Sequence, residues 1–348
     1  MIGESQRTSL TDVARLAGVS PSTASRALDA GRLHPVAEPT RTRVMRAAAQ
    51  LGYRPNPLAR GLRAKPTDTM AVLLPDLIAP YLVRMLQGVG AAAAEAGYLV
   101  INVTFSGDQR AELRYLEMLR SQRVAALLFA IGAPADERHR EAICAEVEAI
   151  RAYGGAVVSL ARWPGEWPTE MVDHRESARI AVRHLIELGH RRIAAIIGPQ
   201  TFVPNADGLS GYLQTMLEAA LEPLGQVSSG HEALAAANAT GELLEREPEV
   251  TAIYAASDGM ADGVMAELGR RGARVPDDVS VVRYSAIEGD PRRPALTTVQ
   301  TYPAAFGAAG VRRALDQLLG RDRAPRVRIH PSELVPGETT RPLTLALR

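Results

Sequence analysis

An all-α helix-turn-helix headpiece followed by an α/β body of two doubly wound, parallel-sheet lobes is what this sequence predicts, and three observations carry the prediction. Residues Ser9 to Leu28, reading SLTDVARLAGVSPSTASRAL, spell two short amphipathic helices joined by a glycine. Residues 1 to 66 hold eleven basic side chains against four acidic ones, a formal +7, whereas the whole chain is only +1 and the remainder is therefore −6. From Thr69 onward, short apolar runs alternate with amphipathic helical stretches, the pattern of a parallel sheet wrapped by helices. With 348 residues, 46% of them hydrophobic, the chain fills two or three cores, more than a headpiece alone needs.

The first helix starts at Ser9, whose hydroxyl caps the open amides of the first turn while Asp12 answers three residues on, a weaker form of the capping box. Leu10, Val13, Ala14 and Ala17 then share one face. Gly18 supplies the backbone freedom of the turn. Ser20-Pro21 reads as an N-cap followed by proline at the first helical position, where the missing N–H is no loss. On the second helix Ala24, Ala27 and Leu28 face inward, which leaves Ser22, Ser25 and Arg26 outward. Any two-helix hairpin shares that apolar spacing. The charge separates a DNA-reading pair from the rest, because a basic end is an electrostatic footprint for phosphate. Glu38 to Gly52 forms a third amphipathic helix, with Val44, Ala47, Ala48 and Leu51 closing the small core. In the stretch Arg54 to Arg63, Asn56 caps and Pro57 opens a helix of less than two turns, with Gly61 inside it. So short a helix is marginal in water by itself.

In the body, strands are expected at Met70 to Leu74, Tyr98 to Val103, Ala125 to Ala130, Val157 to Ser159, Ile193 to Ile197, Ala252 to Ala255 and Ser280 to Val282, with helices at Pro80 to Ala96 and Gln109 to Ser121. The single cysteine, Cys144, excludes a disulfide framework within the chain and gives no metal cluster; it reads as a small hydrophobe on a helix. Catalytic signatures are missing: no nucleophile elbow, no Walker loop, no paired metal histidines, and only a lone Gly88-Val89-Gly90 inside an apparent helix. No apolar run reaches membrane-spanning length, and MIGESQRTSL lacks the apolar core of a secretory signal, so no membrane partner and a cytoplasmic location are expected. The basic head and that start also argue against a periplasmic binding protein.

Thr11-Asp12-Val13-Ala14, Ala17-Gly18-Val19-Ser20, Thr23-Ala24-Ser25-Arg26 and Leu51-Gly52-Tyr53-Arg54-Pro55-Asn56 resemble the lactose-repressor family of bacterial transcription regulators. The likeness continues in Gly198-Pro199, Ser257-Asp258-Gly259-Met260-Ala261, Val275 to Val282 and Leu296-Thr297-Thr298-Val299, and so spans nearly the whole chain. It implies a periplasmic-binding-protein-like core whose lobes are joined by three crossovers, placed near Ser159 to Arg162, Ala286 to Val299 and Arg326 to His330. The expected domains are a headpiece (1–55), a hinge helix and linker (56–66), and a core (67–348). Within that core the N-lobe takes about 67–160 and 299–327, and the C-lobe about 161–290 and 328–348. The implied function is a homodimeric repressor of a pseudo-palindromic operator, under small-molecule control and without a cofactor.

Arg26 is the leading candidate for base readout, since a guanidinium grips guanine O6 and N7 in a bidentate way; a phosphate clamp is its other role. Ser22 matches the position where family members choose operator bases, with Pro21 beside it, and Leu10 is a further candidate DNA contact. Ser9, Ser20, Thr23, Ser25, Thr40, Tyr53 and Asn56 are candidate phosphate contacts, which position the head without specifying sequence. Leu62 matches the family's minor-groove wedge, and Ala59 is small enough for two hinge helices to approach; packing of Leu62 on the body is the alternative. The segment Asp29 to Glu38 is about two residues longer than the usual family spacing.

Open α/β lobes bind small molecules beyond the carboxyl ends of their strands, so Tyr81, Phe129, Arg162, Phe202, Asn205, Asp258, Tyr284 and Gln300 are candidate cleft liners, each of which is otherwise an ordinary loop or core residue. Three departures from the family pattern bear on the ligand. Gly208 stands where sugar-binding members often carry an arginine, Ser257 replaces an asparagine, and the glycine-aromatic-Asp-Asp run is Arg283-Tyr284-Ser285-Ala286. A neutral sugar thereby loses its best acceptors. Arg283 and Arg162 suit an anion such as a sugar acid or phosphate if they point inward; a salt-bridged surface arginine is the plainer role for Arg283. The missing Asp pair also keeps open an effector-independent regulator with a decayed cleft.

Overall fold

The computed structural model describes residues 9–28, 36–53, 66–75, 80–134, 136–163, 167–200, 203–224, 226–228, 232–285 and 296–343. The chain divides into two compact units, Met1–Thr67 and Asp68–Arg348.

In the first unit, α1 (Leu10–Ala17), α2 (Pro21–Leu28) and α3 (Glu38–Gln50) enclose a core of Val13, Ala14, Ala17, Ala24, Ala27, Val44, Ala47 and Ala48. Leu10, Leu28, Leu51 and Tyr53 pack around it. Gly18 ends α1 at φ 65°, ψ 41°, the left-handed conformation that only glycine takes without strain, and its N–H returns to the Ala14 and Arg15 carbonyls.

The second unit holds two six-stranded sheets. The N-lobe elements, in chain order, are β1 (Thr69–Leu74), α4 (Pro80–Glu95), β2 (Leu99–Thr104), α5 (Gln109–Ser121), β3 (Ala126–Phe129), α6 (Glu137–Ala152), β4 (Ala156–Ser159) and β5 (Thr169–Val172). The chain then enters the C-lobe with α7 (His174–Glu187), β6 (Ile193–Ile197), α8 (Val203–Glu218), β7 (Gln226–Ser228), α9 (Ala233–Arg246), β8 (Ala252–Ala255), α10 (Asp258–Arg270), β9 (Ser280–Ser285) and β10 (Thr297–Gln300). It returns to the N-lobe for α11 (Pro303–Leu318) and β11 (Val327–His330), and ends in the C-lobe with β12 (Glu333–Val335). The sheet orders are β11-β5-β4-β3-β1-β2 and β12-β10-β9-β8-β6-β7. All pairings are parallel except β10 with β12.

Because both faces of each sheet are covered, central strands read as unbroken apolar runs rather than alternating ones. In β1, Met70, Val72 and Leu74 point into one core, and Ala71 and Leu73 into the other. On one face α4 lies against α11 so closely that a Cβ on Gly88 would stand 1.8 Å from the Ala304 carbonyl oxygen, and one on Gly307 would stand 2.2 Å from that of Met85. Gly88 of the Gly88-Val89-Gly90 run therefore has a packing reason.

The crossovers differ from expectation. The first lies at Asp173, after β5, rather than at Ser159 to Arg162; the second at Thr301 and Tyr302, after β10, rather than within Ala286 to Val299; the third at Pro331 and Ser332, just after the expected Arg326 to His330. The first displacement has a physical cause. β5 reads TEMV and carries a charge in its middle, which masks it as a strand, yet Glu170 is fully buried. Its carboxylate lies 3.2 Å from Arg313 Nη1 and 2.6 Å from His330 Nε2, with Arg328 Nη1 at 3.5 Å. A buried carboxylate is tolerable only with such partners, and all three arrive on α11 and β11 more than 140 residues later.

Candidate nucleic-acid interface and effector cleft

The headpiece presents its polar face through local hydrogen bonds. Ser9 Oγ accepts from the Asp12 amide at 3.3 Å and Asp12 Oδ2 accepts from the Ser9 amide at 3.0 Å, so both halves of the capping box are made. The Ser9 bonds hold the Asp12 carboxyl below its ordinary range, with a smaller push from Arg15. At the start of α2 the Thr23 amide donates to Ser20 Oγ at 3.1 Å, and that oxygen lies 2.8 Å from both Ser22 Oγ and Thr23 Oγ1. Three hydroxyls are thus gathered beside the amide end of a helix, the place where a phosphate is best received. Arg26 is exposed, and its Nε donates to the Ser22 carbonyl at 3.3 Å, which lays the side chain back along the helix. Pro21 is exposed; Leu10, Ser25, Thr40 and Tyr53 are half-buried, with Leu10 and Tyr53 packed on the core. Asn56, Ala59 and Leu62 lie outside the described residues. Exposed Arg41, Arg43 and Arg46 on α3 add basic surface outside the helix-turn-helix motif.

In the second unit, residues following the C-terminal ends of strands from both lobes converge. Tyr81 lies in the first turn of α4 in the N-lobe, His174 opens α7 at the first crossover, and Tyr284 is the penultimate residue of β9 in the C-lobe. The ring centroids of Tyr81 and His174 lie 5.9 Å apart and those of His174 and Tyr284 5.7 Å, both edge-on. Tyr284 Oη and His174 Nδ1 are 3.1 Å apart, within hydrogen-bonding distance. Burial holds the His174 imidazole down at about 4, with Asp173 opposing and the Arg162 guanidinium assisting. Burial also pushes both phenols up. The three rings are therefore neutral at physiological pH. Two further contacts join the lobes: a Cβ on Gly132, after β3, would stand 2.9 Å from Val203 Cγ2 on α8, and Arg162, after β4, reaches Asp207 on α8 at 4.0 Å.

Several candidate liners turn out to be committed elsewhere. Phe129 is fully buried, 5.4 Å from the Trp163 ring and 5.5 Å from that of Trp167, and the two indoles stack at 4.7 Å, so it belongs to the N-lobe core rather than to a ligand wall. Asn205 is buried and donates to the Pro199 carbonyl at 2.9 Å, bracing the turn after β6. Gln300 is buried and donates to the Thr301 and Ser285 carbonyls. Phe202 lies outside the described residues. Arg283 is not a surface arginine: it is 7% exposed, with Nη1 on Asp258 Oδ1 at 2.8 Å and Nε donating to Thr298 Oγ1 at 3.0 Å. Ser285 Oγ donates to the same Asp258 oxygen at 2.7 Å. This cation, which the family pattern lacks, pairs with Asp258 at the start of α10, just after β8. His174, Arg175 and Asp207 were missed because each is an ordinary helix residue until two lobes bring them together.

The profile described as "Bacterial regulatory proteins, lacI family" matches residues 9–56, and that of a "Periplasmic binding protein-like domain" matches residues 182–340. The HTH-type transcriptional repressor CytR of Escherichia coli (strain K12) is 30% identical over 351 residues, covering 99% of this chain and 100% of that protein. This chain belongs to the lacI family of bacterial regulatory proteins. The HTH-type transcriptional repressor PurR of Edwardsiella ictaluri (strain 93-146) is 29% identical over 327 residues, 92% of this chain and 94% of that one. Among solved structures, the lac repressor dimer bound to operator and the anti-inducer ONPF superposes with a TM-score of 0.82 at 26% identity, covering 97% of this chain and 100% of that chain. This member of the lacI family is accordingly a DNA-binding transcriptional regulator and not an enzyme, built from a helix-turn-helix headpiece and an α/β core. Among its described residues, no helix is long and apolar enough to cross a membrane.

Proposed function

We propose that this lacI-family chain acts as a homodimeric repressor that reads a pseudo-palindromic operator through α2, and that a small molecule in the interlobe cleft alters operator affinity. The observation that carries the reading is the outward face of α2, with its gathered hydroxyls and exposed Arg26, on a headpiece of formal charge +7. Arg26 reads guanine, a contact worth roughly 1–3 kcal/mol of discrimination. Ser9, Ser20, Thr23, Ser25, Thr40, Tyr53 and Asn56 hold phosphates, and Leu62, beside Ala59, wedges the minor groove at the centre of the site. Two-fold pairing of headpieces requires two half-sites, and the lac repressor dimer offers the precedent for the second copy. Ligand acts by changing how the lobes meet across three crossovers.

Footprinting on random-sequence-selected DNA tests this. Two inverted half-sites protected together are expected, with Leu62→Ala weakening operator binding while sparing nonspecific DNA. A single protected half-site, or equal loss on both DNAs, would overturn it. A second reading, an effector-independent regulator, draws support from Asp258, Asn205 and Gln300 being satisfied internally. Coupling must appear as a changed affinity, so titrating operator binding against ligand separates the two.

A further inference from the structure

The geometry points to Arg162 and Arg175 as a paired subsite for the anionic group, carboxylate or phosphate, of the cleft ligand. This rests on the reading that the cleft takes a small molecule, and it goes further by naming which charge the ligand carries and what receives it.

Both guanidiniums converge on one carboxylate without closing on it. Arg162 Nη2 stands 4.0 Å from Asp207 Oδ2, and Arg175 Nη2 stands 3.8 Å from Asp207 Oδ1. Charge-assisted bonds between such groups run at about 2.7–2.9 Å, and elsewhere in this molecule they reach that length, as in Arg192–Glu247 and Arg120–Glu146, both 2.7 Å. Two guanidiniums face one carboxylate here. The side chains of Arg162 and Arg175 are 56% and 45% exposed, whereas that of Asp207 is 17% exposed. A second anion can therefore reach both guanidiniums from the open side. Guanidinium forks match planar carboxylate and phosphate oxygens in pairs, which an ammonium does not.

Position adds to charge. Arg162 follows β4 in the N-lobe, and Arg175 and Asp207 belong to α7 and α8 in the C-lobe, so an anion held by both arginines ties the lobes together. Arg175 follows His174 in the chain, and the Arg162 charge acts on the His174 ring. The subsite thus adjoins the neutral wall of Tyr81, His174 and Tyr284, against which the body of the ligand would lie. Among the described residues, Arg283 near the end of β9 is excluded as the receptor, because it is buried and closed on Asp258 at 2.8 Å.

Calorimetric titration of the full-length protein at fixed ionic strength provides the test, with ribose 5-phosphate and gluconate as charged probes, ribose and glucose as neutral counterparts, and inorganic phosphate alone. At least one charged sugar should bind at least tenfold more tightly than its neutral counterpart. Arg162→Gln and Arg175→Gln should each weaken that binding tenfold or more. Asp207→Asn, which removes the competing carboxylate, should strengthen it severalfold, a change of sign that mere loss of packing does not give. Binding that ignores the charge of the probe, wild-type affinity in both arginine variants, or no binding by any charged probe would overturn the assignment. If a charged probe binds as described yet leaves operator affinity unchanged, the subsite stands and the allosteric reading fails.

Discussion

Gly88 and Gly90 lie two residues apart on α4, and alanine at the two positions should act in opposite directions. A Cβ on Gly88 would stand 1.8 Å from the Ala304 oxygen, 2.5 Å from its carbonyl carbon and 2.7 Å from its Cα, all of them backbone atoms that no rotamer can move. An ordinary carbon–oxygen contact is about 3.3 Å or more, so α4 and α11 would have to part by more than an ångström. A gap of 0.5–1 Å already forfeits a quarter to a half of each contact's dispersion energy. Leu82, Met85, Val89, Phe306, Val311 and Ala314 share the core beneath these helices. The expected loss for Gly88→Ala is about 3 kcal/mol, the upper end of the range for overpacking. A Cβ on Gly90, by contrast, meets nothing within 4 Å, and helix propensity alone should make Gly90→Ala stabilising by roughly 0.5–1 kcal/mol. Both tryptophans, Trp163 and Trp167, are buried in the N-lobe, so urea unfolding followed by tryptophan fluorescence reports the affected lobe directly. Equal effects at the two positions, or a Gly88→Ala protein as stable as wild type, would refute the close packing of α4 on α11.

Three further outcomes are expected. Ser9→Ala removes the acceptor for the Asp12 amide and should destabilise an isolated headpiece by about 1 kcal/mol, read as a lower thermal midpoint by circular dichroism; an unchanged midpoint would argue against the cap. Arg283→Ala takes the guanidinium from the buried Asp258 carboxylate, which keeps its bond from the Ser285 hydroxyl, and should cost about 3 kcal/mol, partly restored by Asp258→Asn in the same chain, and a single variant of wild-type stability would show that the pair carries no weight. Stability should also fall with acid: burial lowers His174, to about 4, and also His184 and His190, from their ordinary 6.5. The unfolded chain takes up those protons first, so stability present above pH 6.5 is lost as pH drops below it, and for His174 the loss is complete only near 4, at up to roughly 1.4 kcal/mol per pH unit for each proton. Urea midpoints at pH 7.5 and 5.5 measure this slope, which His174→Asn should flatten.

Much of the fold was legible because local physics wrote it. The serine and proline that open α1 and α2, the glycine between them and the apolar spacing of α3 are decided within a few residues of themselves, and the buried central strands announce themselves as runs such as Ile193 to Ile197. The charge excess of the first 66 residues needs no folding to be counted. β5 was not legible, since its Glu170 becomes compatible with a buried strand only once Arg313 and His330 arrive from the far end of the chain. The same limit misplaced the first crossover.

The cleft shows the division most clearly. Sequence alone marked Arg162 and Arg283 as cations available to an anionic ligand if they point inward, with a salt-bridged surface position as the plainer role for Arg283, because direction is not written in the chain. Tertiary structure separated them: Arg283 folds onto Asp258 at bonding distance and is buried, whereas Arg162 is more than half exposed and stands 4.0 Å from Asp207 of the other lobe. The sequence by itself determined the helices, the strand cores and the DNA-facing charge, because those depend on neighbours along the chain. Only the tertiary structure decided which polar side chains are already satisfied, since their partners lie in segments that the chain brings together across the crossovers.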